Sequence, residues 1–207
     1  MAEKINIADL KVDCFADKTV KRYTEAIADA DSKLRLGSIA AVTAAEAAAM
    51  AMKAIRLTAS GDEAMKKAEA DLETLRGYFV HIIDEENKAR KPLEKRIDEN
   101  ASEKELEGGY LTACMMIDEV LYSSIQMMEV LDKIADKICP CAAIYCAAAV
   151  RYARTAMDAV RLMHRMYGAR IKEDVCAHTV SREPEIAIEG NTELAEKLIA
   201  KFEGMIK

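Results

Sequence analysis

The sequence predicts an all-α fold: an antiparallel up-and-down bundle of long helices forming a single domain over residues 1–207. Three observations carry that prediction. The chain has three prolines and eight glycines, so long stretches run without a helix breaker. Runs of β-branched residues with period-two alternation are missing. The segment from Ser38 to Leu57, SIAAVTAAEAAAMAMKAIRL, holds nine alanines, with charge only at Glu46, Lys53 and Arg56. Such a run predicts one unbroken helix, with Ser38 as its N-cap. Alanine side chains are too small to fill a core, so the helix belongs where neighbours, or a second copy, approach closely.

Taken in order, Ala8 to Asp17 reads as a short lead-in. A helix then starts at Thr19 and ends near Asp31, with Val20, Tyr23 and Ile27 on one face. Gly37 lets the chain turn sharply into the alanine helix. Ser60 and Glu63 have capping-box spacing, and the pattern Leu72, Leu75, Phe79, Ile82, Ile83 leads to Pro92, where a kink or break is expected. Ser102 and Glu105 repeat the capping-box spacing.

Two seams follow. Cys114, Ile117, Leu121, Ser124, Met128, Leu131, Ala135 and Ile138 alternate spacings of three and four up to Pro140. Beyond it Cys146, Ala149, Ala153, Ala156, Val160, Met163 and Tyr167 repeat the pattern, so two antiparallel helices meet at a tight Cys139-Pro140-Cys141 turn. A loop is expected from about Cys176 to Asn191. Asn191 or Thr192 then caps a last helix with Leu194, Leu198 and Phe202 on its face.

A net charge of -6 and a pI near 5.3 make the surface a poor general match for nucleic acid or an anionic membrane. The alanine run carries three charges and lies between Arg35 and Lys66, so it reads as a core helix and not a membrane span. No secretion signal is read at the N-terminus, and the six cysteines are expected to be reduced, in a cytoplasm. Cys139, Cys141 and Cys146 cluster, with His164 and His178 as further donors, yet no paired C-x-x-C spacing occurs and no metal is expected. Phosphate-loop, dinucleotide and zincin motifs are missing too. Arg151, Arg154, Arg161 and Arg165 share one helix face with Asp158 between them. That stripe reads either as a solvated face or as a grip on carboxylate or phosphate.

The order of elements and two stretches resemble the cyclodeaminase/cyclohydrolase family, which includes the cyclodeaminase part of formiminotransferase-cyclodeaminase and methenyltetrahydrofolate cyclohydrolases. That family has a Pro-Gly-Gly-Gly-Ser loop leading into an Ala-rich helix that ends in Leu-Thr. Here the chain reads LRLGSIAAV and AIRLT, matching at Gly37, Ser38, Leu57 and Thr58. The family then has Asn-Pro-Asn-Ala-Val-Ser-Asp, a helix, Asn-Val-Arg-Ile-Asn and Ile-Lys-Asp. Here stand CPCAAIYCAAAV and MHRMYGARIKED, matching at Pro140, Ala142, Arg165, Ile171 and Lys172. Weaker agreement covers Asp84 to Glu86 and Glu119-Val120, and the resemblance spans roughly residues 18 to 175.

The resemblance implies a cyclodeaminase-like homodimer holding a tetrahydrofolate derivative, with no covalently bound cofactor, beside the Gly-Ser loop and the Asn-Pro-Asn turn. Gly37, Ser38, Cys139, Pro140, Arg154, Arg165 and Lys172 are then the expected binding residues, and Tyr145 and Cys141 stand nearest the chemistry. The polar site departs from the family pattern. Tyr145 replaces its Asp and Ile144 its Ser, Cys139 and Cys141 replace the two Asn around the proline, Met163 and Tyr167 the later two, and Arg35 and Leu36 two glycines. Tyr145 could move a proton only with a strongly lowered pKa, and Cys141 only as a thiolate. Two functions follow: turnover of a folate one-carbon unit, or a dimeric module that binds a folate-like or other anionic ligand without turnover.

Overall fold

The computed structural model describes residues 14–59 and 61–206, and among these every regular element is helical. The helices are α1 (Val20–Ala28), α2 (Leu36–Thr58), α3 (Glu63–Asp98), α4 (Glu103–Ile134), α5 (Ala143–Gly168), α6 (Asp174–Gly190) and α7 (Thr192–Met205), with a 3-10 turn at Ala135–Lys137. The lead-in from Ala8 lies mostly, and Ser60 of the expected capping box wholly, outside the described residues.

The alanine helix is the centre of the bundle. It packs most extensively on α5 and α3, and Ala41, Ala47, Ala48, Ala51 and Ala54 have no exposed surface. The buried Ala149, Ala153 and Ala156 of α5 are equally small, which permits close approach of the two backbones. By length and composition α2 could cross a membrane, yet 61% of its most apolar window is buried inside the bundle, as in a core helix. Both seams are buried as expected, from Cys114 to Leu131 on α4 and from Cys146 to Tyr167 on α5.

Several boundaries differ from the sequence reading. Helix α2 begins at Leu36, so Ser38 lies inside its first turn and is fully buried instead of capping it. Asp62 caps α3, accepting from the Ala64 N–H. Helix α3 continues through Pro92 to Asp98, because buried Leu93 packs beside Gly109 and Arg90 is tied to Glu86 and Glu94 on either side. Helix α4 stops at Ile134, and the 3-10 turn carries Ala135 and Ile138 into the core before Pro140. The expected loop after Cys176 is instead most of α6, started by the Glu173 side chain accepting from the Cys176 N–H. The Ser102–Glu105 capping box is formed in full.

Candidate functional site

Where the N-terminal end of α2, the C-terminal ends of α3 and α5 and the start of α4 converge, they enclose a half-open cavity of about 540 Å³. Its wall is largely apolar, from Leu36, Leu93, Ile97, Leu162, Met163 and Met166. Tyr110 and Tyr167 form an aromatic side, their ring centres 5.8 Å apart and tilted by 37°. Polar character comes from Arg35, Arg90, Arg170 and Glu94.

Gly37 and Ser38 explain how this end is built. A Cβ on Gly37 would stand 2.9 Å from both the Glu86 side chain and Ile117, so only glycine lets α2 come this close to α3 and α4. Ser38 donates its hydroxyl to Glu86 Oε2 or to the Ile83 carbonyl, each at 2.8 Å. Glu86 is 1% exposed, and its other oxygen lies 2.8 Å from Arg90 Nε. A buried carboxylate of this kind is tolerable only with such partners. Arg90 reaches on to Glu94 at 3.3 Å and donates to the Lys33 carbonyl at 3.3 Å, while Arg35 approaches Glu94 at 3.5 Å.

Arg170 differs from the other two arginines. It donates to the Tyr110 hydroxyl at 3.5 Å, and among the described residues no carboxylate pairs with it. Burial pushes the Tyr167 phenol above its ordinary value, with Arg90 pulling the other way. The cavity therefore offers one uncommitted cation, two phenols, a carboxylate held between two guanidinium groups and an apolar floor. Such a lining suits a flat, partly apolar ligand bearing an anionic group.

The remaining expected site residues lie elsewhere. The arginine stripe faces α6 and α7: Arg165 binds Glu185 at 2.6 Å, Arg161 sits between Asp158 and Glu185, Arg154 lies 4.0 Å from Glu196, and Arg151 pairs with Glu203. Arg154 and Arg165 thus spend their charge on the chain's own carboxylates. Lys172 pairs with Glu103, and its N–H bonds Glu107 at the start of α4. Cys139, Pro140, Cys141 and Tyr145 gather at the far end of α2, where the Cys139 N–H donates to Thr58 Oγ1 at 3.2 Å and the Lys53 ammonium lies 4.5 Å over the Tyr145 ring. The 23 residues of α2 at about 1.5 Å per residue set the two groups roughly 33 Å apart. Among the described residues no group of three His, Cys, Asp or Glu is placed to hold a metal ion.

The sequence reading named neither Arg90, Glu94, Tyr110 nor Arg170 as functional. It did hold one signal: Arg35, Leu36, Met163 and Tyr167, four of the positions that depart from the family pattern, all line this cavity. No protein-family model matches the sequence, and no curated protein matches it. Among solved structures, a formiminotetrahydrofolate cyclodeaminase from Thermotoga maritima superposes with a TM-score of 0.79 at 17% identity, over 91% of this chain and 98% of that one. The chain therefore has the helical fold of that cyclodeaminase.

Proposed function

We propose that the cavity between α2, α3, α4 and α5 binds a folate-like ligand, and that the protein is a relative of folate one-carbon enzymes with a re-lined site. The uncommitted Arg170 at an apolar, tyrosine-walled cavity carries this reading, and the fold shared with a formiminotetrahydrofolate cyclodeaminase supports it. Arg170 would take a ligand carboxylate, and Tyr110 and Tyr167 would lie along a flat ring. Cyclohydrolase or cyclodeaminase turnover needs a group that moves a proton at the one-carbon unit. The cavity's own candidates are Glu94 and the two phenols. Glu94 is tied to Arg35 and Arg90, an arrangement that favours the second reading, binding without turnover.

A homodimer would complete the site. The outer face of α2 carries Ile39, Val42, Thr43, Glu46, Ala49, Met50 and Lys53, none of them buried, and with α1 it borders a groove of about 470 Å³. Two α2 helices crossing antiparallel at Ala49 and Met50 would set Glu46 against Lys53 of the partner subunit, and the reverse. The same pairing would carry one subunit's Cys139–Tyr145 end toward the other's Gly37 and Ser38. Calorimetric titration with tetrahydrofolate and methenyltetrahydrofolate tests the ligand, and an absorbance assay for loss of the methenyl bridge tests turnover. No binding at millimolar folate would overturn the reading. Sedimentation tests the dimer: Glu46→Lys should dissociate it and Glu46→Lys with Lys53→Glu should restore it, whereas a wild-type monomer at micromolar concentration refutes it.

A further inference from the structure

We propose that Cys139 and Cys141 form a reversible dithiol–disulfide pair, oxidised by thiol exchange with a low-molecular-weight disulfide. The two sulfurs are 2.6 Å apart on a turn closed by the Ala142 N–H donating to the Cys139 carbonyl at 2.9 Å. Pro140 occupies the second position of that turn, where its fixed φ pre-forms the geometry. The turn is anchored independently by the Cys139 N–H bond to Thr58 on α2, so the sulfurs can join without displacing a helix. Cys141 is exposed and Cys139 half-buried, so a small disulfide can reach them.

The other thiols are poor competitors. Burial pushes those of Cys114 and Cys146 up to about 12. Carboxylates that accept from Cys14 and Cys176, Asp84 and Glu173 respectively, raise these two thiols as well. Cys139 alone among the six is held below its ordinary value, first by the hydrogen bond from the Cys141 thiol and then by the Thr58 hydroxyl and the N–H groups of Ala142 and Cys141. Cys139 is therefore the attacking sulfur and Cys141, whose thiol is raised by the same hydrogen bond, the resolving one.

The exchange balances in two steps. The Cys139 thiolate attacks one sulfur of R–S–S–R, the S–S bond breaks, and RS⁻ leaves with a Cys139–S–R mixed disulfide formed. Cys141 then loses its proton and its thiolate attacks the Cys139 sulfur, expelling the second RS⁻. The protein loses two electrons and two protons, and the small disulfide becomes two thiols.

The test incubates the folded full-length protein with graded ratios of oxidised to reduced glutathione, blocks remaining thiols, and maps peptides by mass spectrometry. Expected is an intramolecular Cys139–Cys141 disulfide formed ahead of any change at the other four cysteines and reversed by excess reduced glutathione. Cys141→Ser should stop at one glutathione on Cys139, and Cys139→Ser should remove reactivity at this turn. Circular dichroism of each variant verifies the helical fold. The proposal is overturned if Cys139 and Cys141 stay reduced while other thiols react, if Cys141→Ser acquires no mixed disulfide, or if the pair is blocked by a stoichiometric bound metal.

Discussion

His164 donates its Nδ1 proton to the Val180 carbonyl at 2.9 Å, and that carbonyl is the one Pro184 leaves without a helical partner. Proline has no N–H, so the bond from residue 184 back to residue 180 is missing from α6. The imidazole, 2% exposed, supplies the donor from α5, while its Nε2 faces Asp118 of α4 at 2.8 Å. A defect in one helix is thus repaired by a side chain from another.

His164→Ala should destabilise α6 by about 1 to 3 kcal/mol through the orphaned buried carbonyl. Pro184→Ala restores the missing N–H, so the same His164 change should cost less in that background. Hydrogen exchange of the α6 amides reads the difference. Equal costs in both backgrounds would refute the link.

At the same end of the bundle, Glu86→Ala leaves Arg90 buried without its nearest counter-ion, and the expected loss is about 3 to 5 kcal/mol. Ser38→Ala removes one hydroxyl donor from the same group and should cost about 1 to 3 kcal/mol. Gly37→Ala forces a methyl against Glu86 and Ile117 and falls in a similar range. Urea denaturation of the three variants checks this ranking.

Arg170→Ala should weaken folate binding by about 1 to 3 kcal/mol, since a charge-assisted bond to the ligand would be lost. Arg165→Ala should leave binding unchanged and cost less than about 1 kcal/mol of stability, because Arg165 is exposed and paired with Glu185. Parallel titrations of both variants separate the cavity from the arginine stripe. A loss confined to Arg165→Ala would return the site to the stripe.

Acid should act on the α4 capping box in a defined direction. The Ser102 hydroxyl, then its N–H, holds the Glu105 carboxyl below its ordinary value. A carboxyl shifted this way adds stability above its unfolded-state value and loses that contribution as pH falls through the lowered folded-state value. The melting-temperature gap between wild type and Glu105→Ala should therefore be full near neutrality and shrink below the ordinary carboxylate range. A gap that does not vary with pH would mean the charge contributes nothing to the cap.

The seams on α4 and α5 were legible because a buried helix face must repeat at spacings of three and four, whatever it packs against. Helix α6 was not legible. Only Val180 and Pro184 are buried along it, and proline reads locally as a breaker. What holds it is contact with α5, through His164 and through Arg161 and Arg165 on Glu185. The arginine stripe was visible as a pattern, but its partners on α6 and α7 were not. Charge in a linear sequence does not reveal which residues will neutralise it.

Periodicity and composition by themselves determined the all-helical class, the alanine helix as the bundle's centre and the two long seams, since these depend on near-neighbour spacing. Tertiary structure decided the rest. It buried Ser38 against Glu86 in place of capping a helix, carried α3 through Pro92, and gathered Arg90, Tyr110 and Tyr167 from three helices, with Arg35 just before α2 and Arg170 just after α5, around one cavity. It also set Cys139 and Tyr145 at the opposite end of α2 from Gly37. The reason is geometric: a helix fixes distances within a few turns, whereas meetings between helix ends depend on how whole elements stack.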